Sequence, residues 1–92
     1  MEQERIRRSP SVRASVSTDG LVLLDLDAGL VLSANAVGAR IWQLIEEDWT
    51  TSEIARQVAQ DFGKPLDRVE RDVSLFVGEL MSRGLVAGDP PR

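Results

Sequence analysis

The stretch Gly20–Asn35, GLVLLDLDAGLVLSAN, decides the fold. It reads as two short apolar strands joined by a tight turn at Asp27-Ala-Gly29, where glycine can adopt the positive φ that such turns need. Upstream, Val12, Ala14 and Val16 alternate with polar residues, which is the period of a half-buried strand. Asp19-Gly20 is a strong hairpin signal between these strands. The sequence therefore predicts a three-stranded antiparallel meander.

Three helices are predicted after the meander. Asn35 suits the N-cap of the first helix. Thr50 and Glu53 have the spacing of a capping box for the second, and Gly63 suits its left-handed end. Pro65 fits the first turn of the third helix, and Asp67 with Glu70 offers a further capping box near its start. Its apolar stripe comprises Leu66, Val69, Val73, Phe76, Val77 and Leu80. Leu85-Val86 then folds back as a hydrophobic plug.

Composition excludes several classes of function. The 92 residues suffice for one domain with a modest core. The chain contains no cysteine and no histidine, which removes disulfides, thiolate metal sites and the commonest general base. Asp25 and Asp27 could in principle bind a divalent ion, but two carboxylates without a third ligand fit turn-flanking residues better. We expect no catalytic residues, no metal site and no cofactor.

The third predicted strand and the third helix are the candidate working surfaces. Leu30–Ala34 would lie at an edge of the meander, yet it carries none of the Lys, Pro or inward charges that protect edges. Either both of its faces are buried against helices, or the edge docks another extended chain by strand addition. Asp72 borders the apolar stripe of the third helix. It is either a solvated flank residue or an acceptor for a docked peptide.

The order of these elements resembles the PqqD-like family, whose fold is the recognition element for ribosomally synthesised and post-translationally modified peptides (RiPPs). The resemblance covers residues 12–86. It rests on the order and spacing of short motifs: Leu23-Leu24-Asp25, Gly29, Ala39-Arg40-Ile41-Trp42, Thr50-x-x-Glu53-Ile54, Phe62-Gly63, Asp72-Val73-x-x-Phe76-Val77 and Gly84-Leu85. It implies an α+β fold of winged helix-turn-helix type, with a three-stranded antiparallel sheet followed by three helices. Asn35-Ala-Val-Gly38 departs from the Asn-x-Thr or Asn-x-Ser that often follows the third strand of the family.

The resemblance also implies a function. Members bind the leader segment of a precursor peptide, which adds a strand beside the third strand of the sheet and inserts apolar side chains into the cleft with the third helix. Carried over residue by residue, the implied peptide-binding residues are Leu30, Val31, Leu32, Ser33, Val69, Asp72, Val73 and Phe76. The module itself is non-catalytic. It presents the leader to a leader peptidase or another RiPP-modifying enzyme, with lasso-peptide biosynthesis favoured.

The alternative is a winged-helix DNA-binding regulator, since the second and third helices could pack as a helix-turn-helix. The net charge of −4 opposes phosphate binding, and the third helix mixes arginines with acidic residues. We expect no nucleic-acid partner, no membrane contact and a cytoplasmic location, because no apolar run is long enough for a membrane span or a signal peptide. The predicted organisation is a flexible N-terminal arm at 1–10, the PqqD-like domain at 11–87 and a tail at 88–92.

Overall fold

The computed structural model describes residues 5–89, which form five strands and three helices. The strands are β1 Arg5–Arg8, β2 Val12–Val16, β3 Gly20–Asp25, β4 Leu30–Asn35 and β5 Val86–Asp89; the helices are α1 Ala36–Glu46, α2 Thr51–Phe62 and α3 Leu66–Ser82. This arrangement confirms the predicted α+β fold, in which an antiparallel meander precedes three helices. Within residues 5–89, no helix is both long and apolar enough to cross a membrane.

The central sheet has the strand order β2-β3-β4, and both of its pairings are antiparallel. Its strands alternate between two environments, as the period of a strand requires. Leu21, Leu23 and Leu32 are buried in the core, whereas Val22 and Val31 are exposed on the opposite face. The sheet therefore covers the helices with one face and leaves β4 at an edge.

Asp25 organises the turn that leads into β4. Its Oδ1 accepts hydrogen bonds from the backbone N–H groups of Asp27 at 3.1 Å and Ala28 at 3.2 Å, and from the hydroxyl of Ser11 at 3.0 Å. Gly29 completes the turn with a φ of 65°. The carboxylate of Asp25 is thus used to hold the turn, as the turn-flanking interpretation predicted.

Local capping signals place the first two helices as predicted. Asn35 Oδ1 accepts from the N–H of Gly38 at 3.1 Å and caps α1. Thr50 Oγ1 accepts from Glu53 N–H at 3.2 Å while Glu53 Oε1 accepts from Thr50 N–H at 2.9 Å, which closes the capping box of α2. Gly63 ends α2 with a φ of 63°.

The start of α3 differs from the prediction. The helix begins at Leu66, and Pro65 occupies the N-cap position without a side-chain hydrogen bond. The predicted capping box of Asp67 and Glu70 is wrong because the proline ring already sets a φ of −60° at the entry, so the chain is helical before Asp67 is reached.

Both ends of the domain also need a correction. The chain from Arg5 to Arg8, predicted as part of a flexible arm at 1–10, is the strand β1, which pairs antiparallel with β5. Ile6 lies in the hydrophobic core with 2% of its surface exposed. β5 includes residues 88 and 89 of the predicted tail. The folded domain therefore extends beyond 11–87; the remaining parts of the arm and the tail, 1–4 and 90–92, lie outside the described residues.

Candidate functional site

The direction of the backbone groups in the sheet follows from the hairpin between β2 and β3. The N–H of Ser17 donates to the C=O of Gly20 at 2.9 Å, so these two residues form a hydrogen-bonded pair. The register continues from them along β2 and β3 without a bulge. Hydrogen-bonded and non-bonded pairs alternate along antiparallel strands. Every second residue of β3, counted from Gly20, therefore directs its N–H and C=O towards β2.

The intervening residues of β3 direct their backbone groups towards β4. These are Leu21, Leu23 and Asp25, which lie opposite Ala34, Leu32 and Leu30. The backbone N–H and C=O groups of Val31 and Ser33 must then point away from the sheet. β4 is the last strand in the sheet order, and within residues 5–89 no further strand pairs with it. The outer edge of β4 consequently offers two residues with open backbone donors and acceptors.

A groove of about 390 Å³ runs along this edge between β4, the start of α1 and α3. We call it the β4–α3 groove. Its lining residues are Leu32, Ser33, Ala34, Asn35, Val37, Gly38, Ile41, Lys64, Asp72, Phe76 and Glu79. Aliphatic and aromatic side chains are interspersed with polar groups from the strand and the helices. An open strand edge beside such a groove can accept an extended peptide and bury alternate side chains of it.

The structure brings half of the sequence-predicted site residues into this groove. Leu32 and Ser33 line it from β4, and Asp72 and Phe76 line it from α3. Leu30 and Val31 belong to the same edge strand but do not line the groove, and Val31 is 62% exposed on the solvent face of the sheet.

Val69 and Val73 are not brought to the groove. They are 1% and 2% exposed and belong to the core. Val73 borders instead a separate cleft between α2 and α3, which Thr51 and Ala55 also line. These two valines support α3 from within and do not line the β4–α3 groove.

Sequence reasoning missed the contribution of α1 and of the link between α2 and α3. Val37, Gly38 and Ile41 line the groove from α1, and Lys64 lines it from the link. The signal for α1 was present, since Asn35 ends the edge strand and caps α1 directly, so the first turn of the helix must lie beside that edge. No sequence pattern indicated that Lys64 would line the groove, because only the packing of α3 brings the link between α2 and α3 to it.

Gly38 is buried on α1, close to both β4 and α3. A Cβ at this position would come within 2.6 Å of the Cβ of Ala34 and within 3.4 Å of Cζ of Phe76. Ala34 is anchored to the strand and cannot rotate away. Glycine is therefore required at this position for α1 to pack against β4. Gly38 directly follows the segment in which the family often has Asn-x-Thr or Asn-x-Ser.

We expect Gly38→Ala to destabilise the domain and to distort the groove. Overpacking of this kind costs about 1–3 kcal/mol, against a gain of roughly 1 kcal/mol from replacing a helical glycine. Gly78→Ala on α3 is the matched control, since a Cβ there meets no atom within 4 Å and should stabilise the protein. Chemical denaturation of both variants measures the free energy of unfolding, which should fall for Gly38→Ala and rise for Gly78→Ala. Equal stability changes would contradict the close approach at Gly38.

Three charged residues line the groove, and they differ in their partners. Glu79 accepts from Nε of Arg83 at 3.2 Å, one turn further along α3. Asp72 is half-buried and Lys64 is exposed. Neither forms an ion pair or a side-chain hydrogen bond with any residue from 5 to 89. The groove therefore contains one negative and one positive group that remain available to a ligand.

An ion pair outside the groove connects α1 to the end of α2, just before the link that carries Lys64. Asp61 accepts from Nε of Arg40 at 2.7 Å and from the amide of Gln57 at 2.8 Å. The hydrogen bond from Arg40, and then that from Gln57, lower the pKa of Asp61 below its usual range. Because the pKa of Asp61 is lower in the folded state than in the unfolded state, its ionised carboxylate stabilises the fold at neutral pH. This stabilisation is lost as the pH falls through the folded-state pKa.

Comparisons with known proteins show the family and the fold of the chain. Residues 20–86 match the family model described as Coenzyme PQQ synthesis protein D (PqqD). A solved structure described as TbiB1 in complex with the TbiA(beta) leader peptide is 32% identical, with a TM-score of 0.82 over 92% of this chain and 99% of that one. A second, described as lasso peptide synthetase B1 complexed with the leader peptide, is 23% identical, with a TM-score of 0.80 over 90% and 98%. The second supports the fold alone. No curated protein sequence matches the chain.

Proposed function

The chain belongs to the PqqD family, and from this premise we propose that it binds the leader segment of a ribosomally made precursor peptide by strand addition to β4. The observation that carries the proposal is the open edge, where Val31 and Ser33 direct their backbone groups away from the sheet beside a groove. Such an edge recognises any extended chain through main-chain bonds, and the groove adds side-chain selectivity. The relative that is 32% identical is described as a complex with a leader peptide, which supports the same role here.

In the proposed role the domain makes and breaks no bonds. It holds the leader so that the attached core peptide stays near a leader peptidase or another modifying enzyme, which raises the effective concentration of the substrate. The 32% identical relative is described as TbiB1 in complex with a leader peptide, and within such a leader-binding role we favour the lasso-peptide class over synthesis of a quinone cofactor. We place this activity in the cytoplasm, where the precursor is translated.

Titration calorimetry with a synthetic leader tests the proposal. The probe is the N-terminal segment of a short precursor peptide to be sought among the genes that neighbour the one for this chain, with a scrambled peptide of the same composition as the control. We expect saturable binding of one leader per protein and no binding of the scrambled peptide. A heat capacity change of negative sign should accompany binding, because apolar side chains of the leader become buried in the groove. Equal affinity for both peptides would overturn leader recognition.

A winged-helix DNA-binding activity is tested in parallel by mobility shift. The acidic net charge and the mixed charges of α3 predict no sequence-selective complex with duplex DNA at physiological salt. Arg68 and Arg71, which a reading helix would use, alternate on α3 with Asp67 and Glu70. A salt-dependent, sequence-selective shift at nanomolar protein would favour the regulator and contradict the peptide-binding proposal.

A further inference from the structure

Strand addition leaves one property of the complex open, which is the register of the peptide. A slip of the docked peptide by two residues restores the same backbone bonds to Val31 and Ser33 and the same orientation of its side chains. The side chain of Val31 is exposed on the solvent face, whereas that of Ser33 is exposed but also lines the groove. The groups that select one register must therefore lie in the β4–α3 groove.

The charged groups of the groove are suited to this selection. Glu79 is already paired with Arg83, whereas Asp72 and Lys64 have no ionic or hydrogen-bonded side-chain partner within residues 5–89. They carry opposite charges, line the same groove and do not pair with each other. Each is therefore free to recognise a different residue of the peptide.

Docking of a peptide would change the environment of Asp72. Its carboxylate is half-buried beside Phe76 before any peptide is present. A strand laid over the groove would remove more water from it, and a buried acceptor left without a donor costs about 1–3 kcal/mol, more when it is charged. A peptide that presents a basic side chain at this point avoids the penalty and gains a charge-assisted hydrogen bond.

Lys64 imposes the complementary requirement. Its exposed ammonium attracts an acidic side chain and repels a basic one, although solvent screening weakens both effects. A peptide in the wrong register would place its charges against like charges or leave Asp72 covered and unpaired. Specificity of this kind relies on rejecting the wrong arrangement as much as on stabilising the right one.

We infer that Asp72 and Lys64 set the register of the docked leader by pairing with one basic and one acidic side chain of the peptide. The inference rests on the proposed function and goes further by naming the charge pattern of the ligand. Leaders that carry both charges at the required separation are selected, and apolar strands without them bind in several registers with lower affinity.

Double-mutant cycles with the synthetic leader test the inference. Each charged residue of the leader is replaced by alanine in turn and titrated against the wild type, Asp72→Ala and Lys64→Ala. We expect one basic replacement to weaken binding to the wild type about tenfold, which is about 1.4 kcal/mol, and to have little effect on Asp72→Ala. One acidic replacement should couple to Lys64→Ala in the same direction but more weakly, because Lys64 is exposed to solvent. Asp72→Ala should melt like the wild type, because its side chain has no partner in the domain to lose.

A charge reversal gives the sharper result. Asp72→Lys should bind the native leader poorly and recover when the coupled basic residue of the leader is replaced by glutamate. Glu70→Lys is the matched control, since it changes the charge of α3 equally but lies at the cleft between α2 and α3. If the wild type binds the leader and no charged residue of the leader couples to Asp72 or Lys64, the inference fails and leader binding stands. Absence of leader binding by the wild type would instead overturn the proposed function.

Discussion

Val31→Pro is expected to abolish leader binding and to leave the melting temperature close to that of the wild type. The N–H of Val31 points away from β3, so proline removes no bond of the sheet. Proline does remove the N–H that would donate to the docked peptide, and the lost hydrogen bond is worth about 0.5–1.5 kcal/mol. Its ring also occupies the space where the peptide backbone must approach. Together these effects should weaken binding by well over tenfold, as measured by calorimetry alongside thermal melting.

Leu32→Pro is the contrasting variant. Leu32 lies in a hydrogen-bonded pair with Leu23 and is buried in the core, so proline there breaks the pairing of β3 with β4 and should lower the melting temperature sharply. Val31→Thr retains both the N–H and a β-branched side chain and should bind normally. Ser33→Pro repeats the main test at the second outward position. If every folded proline variant from Leu30 to Ser33 still binds the leader normally, the peptide does not dock on this edge.

The elements that are determined by residues close together in the sequence could be predicted from it. The hairpin of β3 and β4 and the caps at Asn35, Thr50 and Gly63 each depend on residues within a few positions of one another. Their hydrogen bonds join residues a few positions apart, so a local pattern is sufficient to identify them. The orientation of β4 could not be obtained in this way, since sequence alone left open whether Val31 or Leu32 points outward. The continuous register from the Ser17–Gly20 pair decides it.

The candidate site was only partly accessible to sequence reasoning. The position of Asp72 at the border of the apolar stripe already suggested a peptide contact, and Phe76 came from the resemblance; both line the groove in the structure. Val69 and Val73 share the apolar stripe of α3 with Phe76, and the helical period cannot distinguish the centre of a stripe from its border. The centre is buried in the core and only the border reaches the groove. Gly38 and Lys64 join the site through tertiary packing, which a local pattern does not report.

The N-terminal strand was missed for a related reason. Ile6 stands between charged residues and shows no period that a reader could assign to a strand. What orders it is pairing with β5 at the other end of the chain and burial of one side chain. Neither cause can be read from residues 1–10 alone, and the same composition is typical of a disordered arm.

Ile6→Ala is therefore expected to destabilise the domain strongly. Truncation of a fully buried isoleucine costs about 2–5 kcal/mol, a large part of the roughly 5–14 kcal/mol that holds a domain of this size together. At about 4–8 °C per kcal/mol, the melting temperature should fall by at least ~8 °C. Leu75→Ala is the matched control, since Leu75 is 67% exposed on α3 and its loss should change stability by no more than about 0.5 kcal/mol. If both variants melt like the wild type, residues 5–8 do not contribute to the fold and β1 behaves as the arm that the sequence predicted.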